Sequence, residues 1–194
     1  MMTEVAEQIV TAAEKLLSLP DGHRPLIIAI DGRCAAGKTT LARQLQDMAG
    51  WSIFHMDDFF LRAEQRTEAR LRTPGGNVDV ERFLEEILVP LKDGNTQIVY
   101  RRYDCHSQRL SDSVYTKAGP VCLVEGSYSC HPALRDYYDC KVFLSVAPEE
   151  QKHRVTVRNG EAEAVSFTER WIPLEEQYFQ AFEIEKNCDM RFEM

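Results

Sequence analysis

An α/β domain with a mostly parallel sheet is predicted by three features of this sequence. Short apolar runs at 26–30, 51–56, 121–124 and 141–144 have the length and composition of buried strands. Helical stripes lie between them, so strand and helix alternate along the chain. The first apolar run leads straight into a glycine-rich turn and then a helical pattern.

The elements follow in order. Residues 3–19 place Val5, Ile9, Ala12, Leu16 and Leu19 on one helical face, with Thr3 as the N-cap and Glu4 and Glu7 in the first turn. Pro20, Asp21 and Gly22 end that helix, so 1–22 reads as an N-terminal helical segment. After the first strand and its loop, a helix extends to about residue 49. The second strand, 51–56, runs into Asp57-Asp58-Phe59-Phe60. Residues 62–76 are polar and contain Pro74-Gly75-Gly76, which predicts a long mobile segment. Val80, Phe83, Leu84, Ile87, Leu88 and Leu91 form a helical stripe that Asp79 can cap and Pro90 should kink or shorten, with Gly94 beyond its end. Residues 96–103 are a strand candidate, and the polar stretch from there to Pro120 predicts a turn or hairpin. Glu125-Gly126 closes the strand at 121–124, and 139–146 holds the next. Pro148 can start a helix, and 148–165 is expected to form a helical lid. The last helical stretch, about 167–186, turns Trp171, Leu174, Tyr178 and Phe182 inward, and 189–192 can add an edge strand.

Composition excludes several function classes. The chain has 194 residues, enough for one well-buried domain, and no internal repeat or linker, so 1–194 is expected to be one domain. No apolar run approaches the ~20 residues of a membrane span, and no export signal is visible, so a cytoplasmic protein is expected. Lys and Arg number 23 against 31 Asp and Glu, which argues against a nucleic-acid polymer as partner. The six cysteines show no disulfide or zinc spacing, so free thiols in a reducing compartment are expected. Nothing in the composition fixes the oligomeric state, which leaves room for a homo-oligomer.

The chemistry is concentrated after the first strand. Gly32, Gly37, Lys38 and Thr39 fall at the spacing G-x-x-x-x-G-K-T, and the strand and helix flanks make this a phosphate-binding loop. The loop Gly32-Arg33-Cys34-Ala35-Ala36-Gly37-Lys38-Thr39-Thr40 can turn backbone N–H groups onto phosphate oxygens, and the next helix adds its N-terminal dipole. Lys38 can reach the β and γ phosphates, and the Thr39 hydroxyl can ligate Mg²⁺. Glu125, an acid ending an apolar strand, is the pattern of a second Mg²⁺-holding carboxylate, direct or through water. Asp57 and Asp58 follow another strand, and one of them can take the proton of an attacking hydroxyl. On extended backbone the two face opposite ways. Arg154 and Arg158, at i,i+4, can close over a transferring phosphoryl group. Tyr103, Asp104 and His106 near a strand end can contact a flat acceptor. The fold expected is a P-loop NTPase-type α/β domain, doubly wound, with helices on both faces.

The ordered set IAIDGRCAAGKTTLA, MDDFF, GGNVDVERF, RRYD, LVEGSY and R-x-x-x-R resembles the uridine kinase branch of the phosphoribulokinase/uridine kinase family, over most of residues 26–158. The resemblance implies a kinase that uses ATP and Mg²⁺ to phosphorylate a hydroxyl of a small molecule, a nucleoside such as uridine. It implies Asp57 as catalytic base beside the metal, Glu125 as the metal-associated acid, Asp79 on the acceptor's sugar and Tyr103 in the acceptor site. Arg154 matches a lid arginine and Arg158 a later basic position. The chain departs from the pattern at Gln151 and Val155, where the lid carries arginines, at Phe60 in place of tyrosine, and at Gln108 in place of histidine, with His106 close by. The phosphate half is thus better matched than the acceptor half, and a pantothenate-like or sugar acceptor, or a nucleotide-binding regulator, are the alternatives.

Overall fold

Strand β1 (Leu26–Gly32) is buried at every position, as its unbroken apolar run requires of a central parallel strand. In the computed structural model, which describes residues 1–19 and 25–194, it pairs with β5 (Val121–Glu125) on one side and β6 (Cys140–Ser145) on the other. β2 (Ser52–His55) lies outside β5, and β7 (Met190–Glu193) outside β6. All four pairings are parallel and the order is β2-β5-β1-β6-β7. Register sets Ile30 opposite Glu125 and Gly32 opposite Leu144, so the carboxyl ends of the strands form one edge.

Period-two alternation splits the core into two layers. Ile28 and Ile30 pack on one face with Ala6 and Ile9 of α1 (Met2–Leu17) and Leu41 and Leu45 of α2 (Lys38–Ala49). Ile27 and Ala29 pack on the other with Phe54, Phe59, Phe83 and Tyr178. Helices therefore cover both faces, the doubly wound arrangement the sequence predicts. Thr3 lies inside α1 and does not cap it. The expected stop at Pro20, Asp21 and Gly22 falls outside the described residues.

Two local expectations are corrected, and the place of a third element is now defined. Residues 62–76 are not an open loop, because Arg70 staples them. Its guanidinium donates to the carbonyls of Gly76 and Val78, each at 3.0 Å, and to both carboxylate oxygens of Glu81 at 2.7 Å. A short helix, α3 (Glu68–Arg72), forms there with Thr67 as its cap. Pro90 does not shorten the next helix. The run α4 (Val80–Phe83), a π-helical turn (Leu84–Leu88) and α5 (Val89–Lys92) is continuous. The wider π turn falls where the carbonyl four residues before Pro90 would otherwise meet its ring. Asp79 caps this run through the Arg82 N–H at 3.2 Å, as expected. The strand at 96–103 is real but outside the main sheet: β3 (Gln97–Asp104) and β4 (Arg109–Lys117) form a separate antiparallel hairpin.

The lid region consists of α6 (Pro148–Asn159) and α7 (Glu161–Ser166), followed by a π-helical turn (Phe167–Trp171) and α8 (Ile172–Ala181). The inward face of α8 is Glu175, Tyr178 and Phe179, while Trp171, Leu174 and Phe182 are only partly buried. No described helix is long and apolar enough to cross a membrane.

Candidate active site

The phosphate loop turns where β1 meets β6. Gly32 has φ +131°, and a Cβ there would lie 2.0 Å from the Leu144 carbonyl oxygen, so only glycine fits. Gly37 (φ +96°) is the N-cap of α2 and lets the loop join the helix. Lys38 curls back over the loop and donates to the carbonyls of Gly32 at 2.6 Å and Arg33 at 3.0 Å. This fixes the ammonium at the mouth of the loop, beside the first turn of α2.

A cavity of about 680 Å³ opens over the loop. Cys34, Ala35, Gly37, Lys38, Thr39 and Thr40 form its floor, and Asp57, Glu125 and the α6 pair Arg154 and Arg158 reach it from three other segments. Ala36 is buried behind the floor. Arg33 turns away to Glu176 at 2.7 Å and Ser145 at 2.8 Å, so its contribution to the loop is backbone only.

The acidic side of the cavity is built by β2 and β5. Glu125 ends β5 almost fully buried, and its two oxygens accept from the Thr39 hydroxyl at 3.2 and 3.1 Å. His55, at the end of β2, sets Nδ1 2.5 Å from the same carboxylate, and this bond pushes its pKa up. Met56–Phe59 forms a 3₁₀ turn, not extended backbone, and the two aspartates separate by that route. Asp57 lines the cavity, whereas Asp58 pairs with Arg102 at 3.2 Å. Solvent reaches Asp57 through the cavity mouth, yet protein atoms crowd it closely. That desolvation pushes its pKa up, Lys38 opposes the shift, and Glu125 and Asp58 add to it.

The Thr39 hydroxyl and the Glu125 and Asp57 carboxylates are hard oxygen donors lining one cavity, a set suited to Mg²⁺. Among the described residues no three His, Cys, Asp or Glu side chains converge to hold an ion by themselves.

The lid is docked on the loop. Arg154 donates to the Ala35 carbonyl at 3.3 Å and pairs with Glu150 at 2.7 Å. Arg158 lies 3.6 Å from the Cys34 sulfur and 5.4 Å from the Phe167 ring centre. The two lid departures have a local reason. Gln151 is buried and donates to the Cys34 carbonyl at 3.1 Å, and Val155 is buried against Cys34 and Ala164. An arginine at either position would bury a charge in that joint.

A second cavity, about 700 Å³, adjoins the first and shares Phe60, Asn77 and Trp171 with it. Leu61, Leu71 and Leu174 give it an apolar lining, with Arg66, Arg170 and Gln177 as polar groups. Asp79, Tyr103 and His106 line neither cavity. Asp79 is buried as a helix cap beside Arg82 at 3.6 Å and Arg62 at 3.9 Å. The buried Tyr103 receives a hydrogen bond from Arg66 at 3.1 Å. His106 sits in the hairpin turn with its N–H on Asp104 at 2.8 Å.

Two residues central to the site escape the motif reading. Asp31 is fully buried and accepts from the N–H groups of Gly32, Tyr128 and Cys130 and from the Tyr178 hydroxyl. Glu175 is buried in the cavity wall, where it accepts from the Cys34 N–H at 2.9 Å and the Ser127 hydroxyl at 2.5 Å. Burial pushes its pKa up, with Lys38 opposing. The available signal was an acid on the helical stripe between Trp171 and Tyr178.

No protein-family model matches the chain. Solved structures do. A possible uridine kinase from Bacillus stearothermophilus is 24% identical, with a TM-score of 0.70 over 97% of this chain and 99% of that one. A D-glycerate 3-kinase from Cryptococcus neoformans var. grubii is 18% identical, with a TM-score of 0.65 over 100% of this chain and 95% of that one. At these identities the likeness is one of architecture, and by architecture this chain has the α/β fold of the P-loop kinases.

Proposed function

We propose that this protein is an ATP-dependent kinase that transfers the γ-phosphoryl group to a hydroxyl of a small molecule. The observation that carries the reading is the convergence of Lys38, Thr39, Asp57, Glu125 and Arg154 on one cavity at the carboxyl ends of the parallel strands.

In this reading the loop amides and Lys38 hold the β and γ phosphates of ATP. Thr39, Glu125 and Asp57 hold Mg²⁺, which when bound neutralises charge on the phosphates. Asp57 accepts the proton of the acceptor hydroxyl as its oxygen bonds to the γ phosphorus and the bond to the β–γ bridging oxygen breaks, releasing ADP. Arg154, held on the loop and lining the cavity, can meet charge on the transferring group. Positioning and charge stabilisation supply most of the rate.

The second cavity is the proposed acceptor site, because it meets the first at Phe60, Asn77 and Trp171. A nucleoside such as uridine is the acceptor the family resemblance favours. A specific observation favours a second reading: Asp79 and Tyr103, which the resemblance assigns to the nucleoside, are buried and line neither cavity. That supports a different alcohol, pantothenate-like or a sugar. Asp57→Asn tests the core of the proposal. Nucleotide affinity, measured by calorimetry, should be retained, while turnover falls by about 10²–10⁴-fold. Normal turnover by this variant removes Asp57 from the mechanism.

A further inference from the structure

One turn of α8 holds the phosphate loop and lines the neighbouring cavity at once. Tyr178 bonds Asp31 at 2.8 Å, and Asp31 in turn accepts from the Gly32 N–H at 2.7 Å. Glu176 pairs with Arg33 at 2.7 Å. Glu175 accepts from the Cys34 N–H at 2.9 Å. Residues 31 to 34 are therefore each tied, directly or through Asp31, to residues 175 to 178. Gln177 of the same turn and Leu174 just before it line the second cavity, and Trp171 one turn earlier lies on the wall shared by both.

Resting on the kinase reading above, we propose that α8 couples the two cavities and that Glu175 is the positioning residue that transmits the coupling. The physical basis is the asymmetry of its surroundings. Glu175 is the member of the turn that faces the phosphate cavity itself, with its carboxylate bonded at once to the loop and to Ser127 after β5. A nucleotide that reorders the Cys34 peptide must shift or release this carboxylate, since the two share one hydrogen bond. A helix turn moves as a unit, so Leu174 and Gln177 move with it. The connection runs by hydrogen bond from the loop to the Glu175 carboxylate and then along the α8 backbone to Leu174 and Gln177, a rigid element of the kind that carries coupling free energy. Glu175 is not a catalytic residue in this account, because it holds the loop and not the reacting atoms.

The protein carries its own reporter. Cys105 lines the second cavity only and is the one exposed cysteine of six. Its alkylation rate by iodoacetamide reads that cavity, while calorimetry reads nucleotide binding at the loop. Saturation with Mg²⁺ and the non-hydrolysable analogue AMP-PNP should change the Cys105 rate by about fivefold or more, the lower end of measured inter-site couplings. Glu175→Gln should keep the response. Its amide oxygen can accept from the Cys34 N–H and its amide N–H can donate to a rotated Ser127 hydroxyl. Glu175→Leu should bind AMP-PNP and lose the response. If that variant does not fold, Glu175→Asp, too short to bridge both partners, should lose it instead. A purely structural role would lower the melting temperature of these variants and leave the response intact, which overturns the proposal. AMP-PNP binding to the wild type with no change at Cys105 overturns it as well. No AMP-PNP binding at all overturns the kinase reading and this inference together.

Discussion

Glu125 takes a hydrogen bond from Thr39 and another from His55, and its role as a site carboxylate is readable in sequence because an acid ends an apolar strand. His55 and Glu175 were not readable in the same way. His55 is the last residue of β2, and only pairing of that strand with β5 sets it beside Glu125. Glu175 lies on the helical stripe that periodicity assigns to apolar contact, and its partners are 48 and 141 residues away in sequence. His131 shows a residue-scale effect with a measurable sign. Its ring lies 6.3 Å from and nearly parallel to that of Tyr178, and its Nδ1 accepts from the Ala133 N–H. Burial, with Arg70 nearby, pulls its pKa from 6.5 down to about 4. The unfolded chain therefore binds this proton more tightly than the folded one. Its contribution to stability is present above pH 6.5 and is lost as pH falls through about 4. Urea midpoints measured from pH 7 to pH 4 should fall more steeply for the wild type than for His131→Asn, which keeps an acceptor near Nδ1 but does not titrate. Parallel profiles would contradict the assignment.

Among the elements, strands buried on both faces were the most legible, since burial of β1 and β5 leaves no polar position to confuse the pattern. The hairpin β3–β4 alternates buried and exposed residues along β3 and was readable as strand, but nothing local says that it stands apart from the main sheet. Residues 62–76 were misread because composition signals a loop, while order there comes from one side chain, Arg70, reaching Gly76, Val78 and Glu81. The joint of β1 and β6 gives a prediction at this scale. Gly32→Ala would drive a Cβ to within 2.0 Å of the Leu144 oxygen and should cost about 4 kcal/mol or more, among the largest single-residue effects. Chemical denaturation checks this, and a loss under 1 kcal/mol would mean that the two strands yield easily. The lid gives another. Arg154→Ala should lower kcat by about 10²–10³-fold, as loss of a donor to developing charge does, with a smaller effect on the KM for ATP. A change confined to KM would make Arg154 a binding residue only.

At the scale of the molecule, two core layers hold a parallel sheet rigid, and its carboxyl edge gathers groups from across the chain into adjoining cavities. The cavity over the phosphate loop was legible because Gly32 to Thr39 is contiguous and each residue type there answers to phosphate geometry. The second cavity was not. Its lining is assembled from 60–77, from Cys105 and from 169–177, and no contiguous motif spans those segments. The residues that the family resemblance pointed to, Asp79 and Tyr103, lie behind that lining, while Asn77 and Arg66 reach it. The central claim is that the two cavities form one kinase site. ADP release from Mg·ATP, followed across nucleosides, hydroxy acids of the pantothenate type and sugars with Asp57→Asn as the blank, tests it most directly. At least one acceptor should raise ADP release by about 10²-fold or more over the acceptor-free rate, and the variant should abolish the increase. ATP binding with no acceptor-stimulated release across the whole panel would contradict it.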